Sequence, residues 1–150
     1  MTIEATDIRI IPATAEQRAI IQRLVQESQL PLAGLERDLW RAWLAWKGET
    51  PLACAGLERY GRRALLRSVA VASAWRQRGV GSQLVRTVLL EAQALGLKEV
   101  YLLTTGAEAF FARLGFQPIA RDEVPIALHA SEEWRDACPQ TACAMLYRLS

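Results

Sequence analysis

Leu65-Leu66-Arg67-Ser68-Val69-Ala70-Val71-Ala72-Ser73-Ala74-Trp75-Arg76-Gln77-Arg78-Gly79-Val80-Gly81-Ser82 is the stretch that decides the fold. Its first half is apolar and suits a strand. A short polar loop follows, and two glycines then open a segment in which Val80, Leu84, Val88 and Leu95 recur at the helical period before Gly96 stops it. A strand that runs through such a loop into a helix aims unpaired backbone N–H groups and the positive end of the helix dipole at one place. Glycine lets an anion approach the backbone closely. Arg76 and Arg78 add charge suited to phosphate oxygens. The pattern predicts a phosphate or pyrophosphate ligand. Two common phosphate loops are excluded: a dinucleotide fingerprint needs a third glycine where Leu84 stands, and a P-loop needs a Gly-Lys-Ser/Thr run.

Upstream, Ile8-Arg9-Ile10-Ile11 reads as a first strand, and Thr14 with Gln17 as a capping box for a helix over about 15–28. Trp40, Trp43 and Trp46 are spaced for a helix face, but the aromatic content and the turn at Gly48-Glu49-Thr50-Pro51 suit a strand, which is the reading taken for 40–47. Pro51–Tyr60 and Arg63–Ala72 then complete an antiparallel meander around Gly61. Downstream come a strand over 99–104, a short helix over 107–114, a strand over 116–120, a loop with a helical turn over 131–136, and a last strand over 141–149. Helices interleaved with a largely antiparallel run of strands predict a mixed α/β sheet flanked by helices.

The 150 residues fit a single domain spanning 1–150. With 51% hydrophobic and 23% charged residues the chain is not disordered. The net charge of +2 hides an asymmetry: 16 of 18 basic residues are Arg, and six of them (Arg59, Arg62, Arg63, Arg67, Arg76, Arg78) fall within 20 positions. A local basic cluster on a balanced chain suggests a bound anion rather than a nucleic-acid coat. No apolar run approaches the roughly 20 residues of a membrane span, and Met1–Ile11 lacks the pattern of a signal peptide. Three cysteines (Cys54, Cys138, Cys143) fit no zinc spacing, so no metal is expected and a reducing, cytoplasmic compartment is.

Val69-Ala70-Val71, Arg76-x-x-Gly79-x-Gly81 and Phe110-Phe111-Ala112-Arg113-Leu114-Gly115-Phe116 resemble the motifs of the GNAT superfamily of acyl-CoA-dependent N-acetyltransferases. The element order is similar across essentially the whole chain. Gly56–Gly61, Leu65–Ser68, Tyr101–Thr105 and the late Cys138-Pro139 with Cys143 further resemble the arsenic-resistance (ArsN-type) acetyltransferases.

The resemblance implies acetyl-CoA as cosubstrate. Its pantetheine arm would lie along Val69–Val71 as an added strand. Its pyrophosphate would sit on the amides of Arg78, Gly79, Val80, Gly81 and Ser82, with Arg76 as a side-chain contact beside Gln77. A backbone N–H near Ala70 or Val71 would polarise the thioester carbonyl. The acceptor is implied to be the primary amine of a small molecule, attacking directly in a ternary complex. For the ArsN type it is a glutamate-like amino acid such as arsinothricin or phosphinothricin, whose second anionic group Arg67 would pair. Glu58 is the candidate base and Tyr60 a candidate substrate contact. The superfamily often places a Tyr acid where this chain has Phe111, which is left as a cofactor contact. The thiolate would then leave unprotonated or take its proton from water, Ser68, Thr104 or Tyr101.

Two other classes compete. A non-catalytic acyl-CoA-binding module is suggested by Phe111. A nucleic-acid binder is suggested by the arginines alone, without a groove-entering motif. Protein N-termini, polyamines and aminoglycosides stay open as acceptors, and a homodimer is expected from the relatives, with 141–149 as one source of interface. His129 reads as structural, Trp75 as loop packing, Trp134 as core, substrate wall or dimer contact, and Cys138 with Cys143 as small hydrophobes rather than a soft-ion site.

Overall fold

The computed structural model describes residues 7–35, 38–137 and 142–149. Strands β1 (Arg9–Pro12), β2 (Arg41–Lys47), β3 (Thr50–Tyr60) and β4 (Arg63–Val71) pair in sequence order, each antiparallel to the last. Helix α1 (Arg18–Glu27) joins β1 to β2. Helix α2 (Val80–Ala94) carries the chain across to β5 (Glu99–Thr104), which lies parallel to β4. Helix α3 (Glu108–Arg113) leads to β6 (Gln117–Ile119), and β7 (Cys143–Arg148) inserts between β5 and β6. The sheet is therefore seven strands in the order β1-β2-β3-β4-β5-β7-β6. The expected mixed α/β architecture, the meander and the order of elements are all present.

The tryptophan segment is a strand, because alternation and not helical spacing matches its burial. Trp43 packs with Ala45 in the cluster under α2, while Leu44 and Trp46 pack in the cluster under α1. Helical spacing would have put all three tryptophans on one face. Trp43 is fully buried and its Nε1 donates to Glu91 Oε2 on α2 at 2.7 Å, so the indole's one donor is satisfied.

Each face of the sheet is covered by what the sequence makes amphipathic. Val80, Leu84, Val85, Val88, Leu89 and Ala92 of α2 are buried against one face. Burial of a Val or Leu contributes about 1.5–3 kcal/mol, so this stripe fixes α2 firmly. Ile21, Leu24 and Val25 of α1 cover the other face over Leu44, Cys54 and Ala70. Val124 and Leu128, from short helical turns between β6 and β7, cover the same sheet further along, over Leu65, Tyr101, Ala144 and Leu146.

Two irregularities in β4 open the molecule between these covers. The β3–β4 register slips between Cys54 and Gly56, and opposite the slip Ser68 takes a left-handed φ of 59°. A bulge of this kind bends its strand and increases the local twist. The β4–β5 ladder ends at Leu65–Tyr101, so beyond it the two strands part. The far half of β4 then has a backbone edge no longer paired to β5. The late strand β7 is paired along both edges, to β5 and β6. Cys138 lies outside the described residues.

Candidate active site

Two cavities meet at the place where β4 and β5 part. The first, of about 540 Å³, is lined by Val69, Val71, Trp75, Arg76, Gln77, Gly79, Gly81, Ser82, Ala107, Phe110, Phe111 and Arg113. The second, of about 430 Å³, lies under the C-terminal end of α1, with Ser28–Pro31, Leu66–Val69, Leu102–Thr105 and Glu133 in its wall. Val69, Ala107 and Phe111 line both, so the two cavities adjoin at these residues.

The first cavity is built by the loop that the sequence singled out. Gln77 (φ 63°) and Gly79 (φ 83°) are both left-handed, and α2 begins immediately after. Left-handed residues next to a helix start turn successive backbone N–H groups to one side and make an anion-binding concavity. Gly81 permits close approach: a Cβ there would sit 3.4 Å from both Phe110 and Val71 and narrow the groove between them. Arg76 does not float in solvent. Its Nε donates to the Val71 carbonyl at 2.9 Å and its Nη2 to Ser28 Oγ at 3.1 Å, tying the loop to β4 and to the end of α1. Arg78 lies over the Trp75 ring at 5.4 Å.

The second cavity has a charged wall. Arg67 is 3% exposed and Glu58 fully buried. Arg67 Nη1 donates to Glu58 Oε2 at 2.9 Å, Nε to Ser68 Oγ at 3.1 Å and Nη2 to the Pro31 carbonyl at 3.1 Å. The second oxygen of Glu58 accepts from the Tyr60 hydroxyl at 2.5 Å. Burial, then the hydrogen bond and charge of Glu58, push the Tyr60 hydroxyl well above its ordinary pKa of 10.0. A second carboxylate approaches the same guanidinium: Glu133 Oε1 stands 3.7 Å from Arg67 Nε. Glu133 is 4% exposed, and its Oε2 is buried with no hydrogen-bond partner among the described residues. Burial raises its pKa from 4.5 to about 7, the Glu58 charge adds to the rise, and Arg67 opposes it.

The structure thus sorts the residues singled out in the sequence. Val69, Val71, Arg76, Gln77, Gly79, Gly81, Ser82 and Phe111 line the first cavity. Ala70 and Val80 are buried on the other side of their elements, packed in the core clusters. Of the clustered arginines, Arg67 alone enters the second cavity. Arg62 and Arg63 are exposed, Arg63 pairs with Glu99, and Arg59 lies over Trp40. Glu58 is not in the cavity wall. It sits behind Arg67 with both oxygens engaged, a different position from the open cleft expected of it. Tyr60 reaches Glu58 rather than the cavity. Ser68 and Thr104 line the second cavity, whereas Tyr101 is buried and donates to Glu99. His129 stacks on Trp134 with centroids 4.6 Å apart, away from both cavities. Among the described residues no group of three His, Cys, Asp or Glu could hold a metal, and no helix is long and apolar enough to cross a membrane. Glu133 was not legible: it is one of two adjacent glutamates in a surface-like turn, and only the folding of that turn against β4 brings it to Arg67.

Residues 38–118 match the acetyltransferase (GNAT) domain family. That is more than half of the chain, and the chain belongs to this family. Its class is that of the GNAT acetyltransferases. The chain is 33% identical over 115 residues to an amino-acid acetyltransferase of Edwardsiella ictaluri, covering 73% of this chain and 24% of that protein. It spans about a quarter of the length of such curated relatives. In fold it is similar to N-acetylglutamate synthase from Neisseria gonorrhoeae complexed with coenzyme A and N-acetyl-glutamate (TM-score 0.81, 20% identity, 95% of this chain and 35% of that one). It is also similar to a GNAT-family acetyltransferase from Staphylococcus aureus Mu50 (TM-score 0.77, 17% identity, 95% and 99%).

Proposed function

We propose that this chain acetylates the amine of a small amino acid, with acetyl-CoA in the first cavity and the amino acid in the second. The observation that carries the reading is that Val69, Ala107 and Phe111 line both cavities, which sets a groove suited to a phosphorylated arm directly beside a cavity with a charged wall. The fit of the groove rests on the left-handed Gln77 and Gly79, the absence of a Cβ at Gly81 between Phe110 and Val71, and the unpaired edge of β4. Acetyl-CoA supplies the activated acyl thioester when bound there.

The chain's own residues do the rest. The N–H groups from Arg78 to Ser82 hold the pyrophosphate, and the β4 edge holds the pantetheine amides. A backbone N–H near Ala70 or Val71 is the candidate donor to the thioester oxygen. Arg67 has five N–H groups, of which three are engaged. In this reading Glu58 holds Arg67 in place from behind, and Tyr60 fixes Glu58. The amino-acid class is supported by the relatives named amino-acid acetyltransferase. A glutamate-like acceptor such as arsinothricin or phosphinothricin is the narrower reading, carried by Arg67 in the cavity wall.

Thiol release from acetyl-CoA against a panel of amines tests the proposal. The panel contains glutamate, phosphinothricin, arsinothricin, neutral amino acids, a polyamine and an aminoglycoside. Turnover confined to amino acids is the expected result. Turnover confined to the polyamine or aminoglycoside would refute the acceptor class. Binding of acetyl-CoA without turnover on any amine would favour the non-catalytic module that Phe111 suggests.

A further inference from the structure

The second cavity holds a charge imbalance. Its charged lining is Arg67 and Glu133, and the charge of Arg67 is already matched by the fully buried Glu58 at 2.9 Å. Two carboxylates therefore share one guanidinium. Glu133 is the junior partner, at 3.7 Å through one oxygen, with the other oxygen buried and without a partner. A buried carboxylate oxygen left unpaired is costly, and native structures keep one where it has work to do. The ligand group that would complete it is a cationic N–H donor. Among the described residues the cavity wall offers none besides Arg67: its other polar side chains are Ser28, Gln29, Ser68, Thr104 and Thr105.

We infer that Glu133 binds the ammonium of the acceptor and removes its proton, acting as the general base of the transfer. The inference rests on the proposed acetyltransferase reading. The proton passes from the ammonium nitrogen to Glu133 Oε2, which frees the nitrogen lone pair. That pair forms the bond to the acyl carbon, the carbon–sulfur bond breaks, and its electrons leave on the thiolate. A second N–H proton moves to the thiolate, giving amide and thiol, and the proton on Glu133 leaves to solvent. The net change is thioester plus ammonium to amide, thiol and one proton.

A base works best when its pKa lies near the working pH. The Glu133 carboxyl, held at about 7, meets that condition. Burial sets it first, then Arg67 on β4, which lowers it, and Glu58 on β3, which raises it; Tyr60 on β3 donates to Glu58. Beside it in the turn, the Glu132 amide is held by Asp38, and the Trp134 ring carries His129 and Arg121. The end of α1 adds only uncharged Ser28 and Gln29. Glu58 cannot fill the same role without releasing Arg67 and Tyr60.

The test is the pH profile of kcat/KM for the best amino acid of the panel, for the full chain and for Glu133→Gln and Glu58→Gln, with acetyl-CoA affinity measured alongside. The expected result is an acid limb near pH 7 in the parent protein. In Glu133→Gln it should be absent, with kcat/KM lowered about 10²–10⁴-fold at pH 8 and acetyl-CoA affinity unchanged. Glu58→Gln should keep an acid limb, moved to lower pH. An unchanged limb in Glu133→Gln, or a rate within about threefold of the parent, overturns the inference and leaves the acetyltransferase reading standing. A limb lost in Glu58→Gln and kept in Glu133→Gln overturns it in favour of Glu58. A parent protein that binds acetyl-CoA but turns over no amine overturns both readings together.

Discussion

Glu133→Gln should make the protein more stable at pH 8 and leave it unchanged at pH 4.5. The Glu133 carboxyl has an ordinary pKa of 4.5 and is raised to about 7 in the fold, first by burial and then by the Glu58 charge. A raised carboxyl favours the protonated folded state, so its stabilising effect is full below 4.5 and is lost as the pH climbs through about 7. The gap of about 2.5 pH units corresponds to about 3 kcal/mol. Gln has the shape of the protonated acid and does not ionise, so the variant escapes this loss. Paired urea melts of parent and variant from pH 4.5 to 8.5 read the difference directly, and other titrating groups cancel in the subtraction. The variant should gain about 3 kcal/mol at pH 8, which for a domain of this size is about 6–12 °C in Tm. A difference that stays flat across the range, or a variant less stable at pH 8, would refute the reasoning. A gain in stability matched by a loss of turnover is the pattern expected of a residue retained for chemistry.

Further outcomes follow from the same geometry. Arg67→Ala leaves Glu58 and Glu133 buried without their cation and should cost about 3–5 kcal/mol in a urea melt, as loss of one member of a buried pair does. Gly81→Val fills the space between Phe110 and Val71 and should weaken acetyl-CoA binding at least about tenfold by calorimetry, since displacing an arm by even a fraction of an ångström breaks the amide contacts it uses. Cys54 is buried and its thiol is pushed up to about 12. Peptide mass spectrometry should find it unalkylated at pH 8 in the folded protein and alkylated once urea unfolds it.

The fold was largely legible because its signals are local. The helical period of Val80, Leu84 and Val88, the Gly61 turn and the glycines at 79 and 81 each act within a few residues. The β4 edge and the loop before α2 were legible for the same reason, since strand, loop and helix start are contiguous. The second cavity was not. Its wall draws on residues 28–31, 66–69, 102–105 and 133, which share no sequence pattern and meet only because β4 bulges at Ser68 and parts from β5 after Leu65. The place of Arg67 in the cavity lining was legible because it lies on the central strand. Glu58 was placed at the right strand, but its distance from the cavity depends on which side of β3 the bulge turns toward Arg67. Glu133 depends on a turn that carries no periodicity, and the insertion of β7 between β5 and β6 leaves no trace in the order of elements.

The most direct test of the account is to incubate the protein with trideuteroacetyl-CoA and ¹⁵N-labelled glutamate and examine the small-molecule fraction by mass spectrometry and NMR. The account predicts a product carrying the labelled acetyl group on the labelled nitrogen, formed in step with free thiol. Free thiol without that product, across glutamate and the other amino acids of the panel, would contradict it.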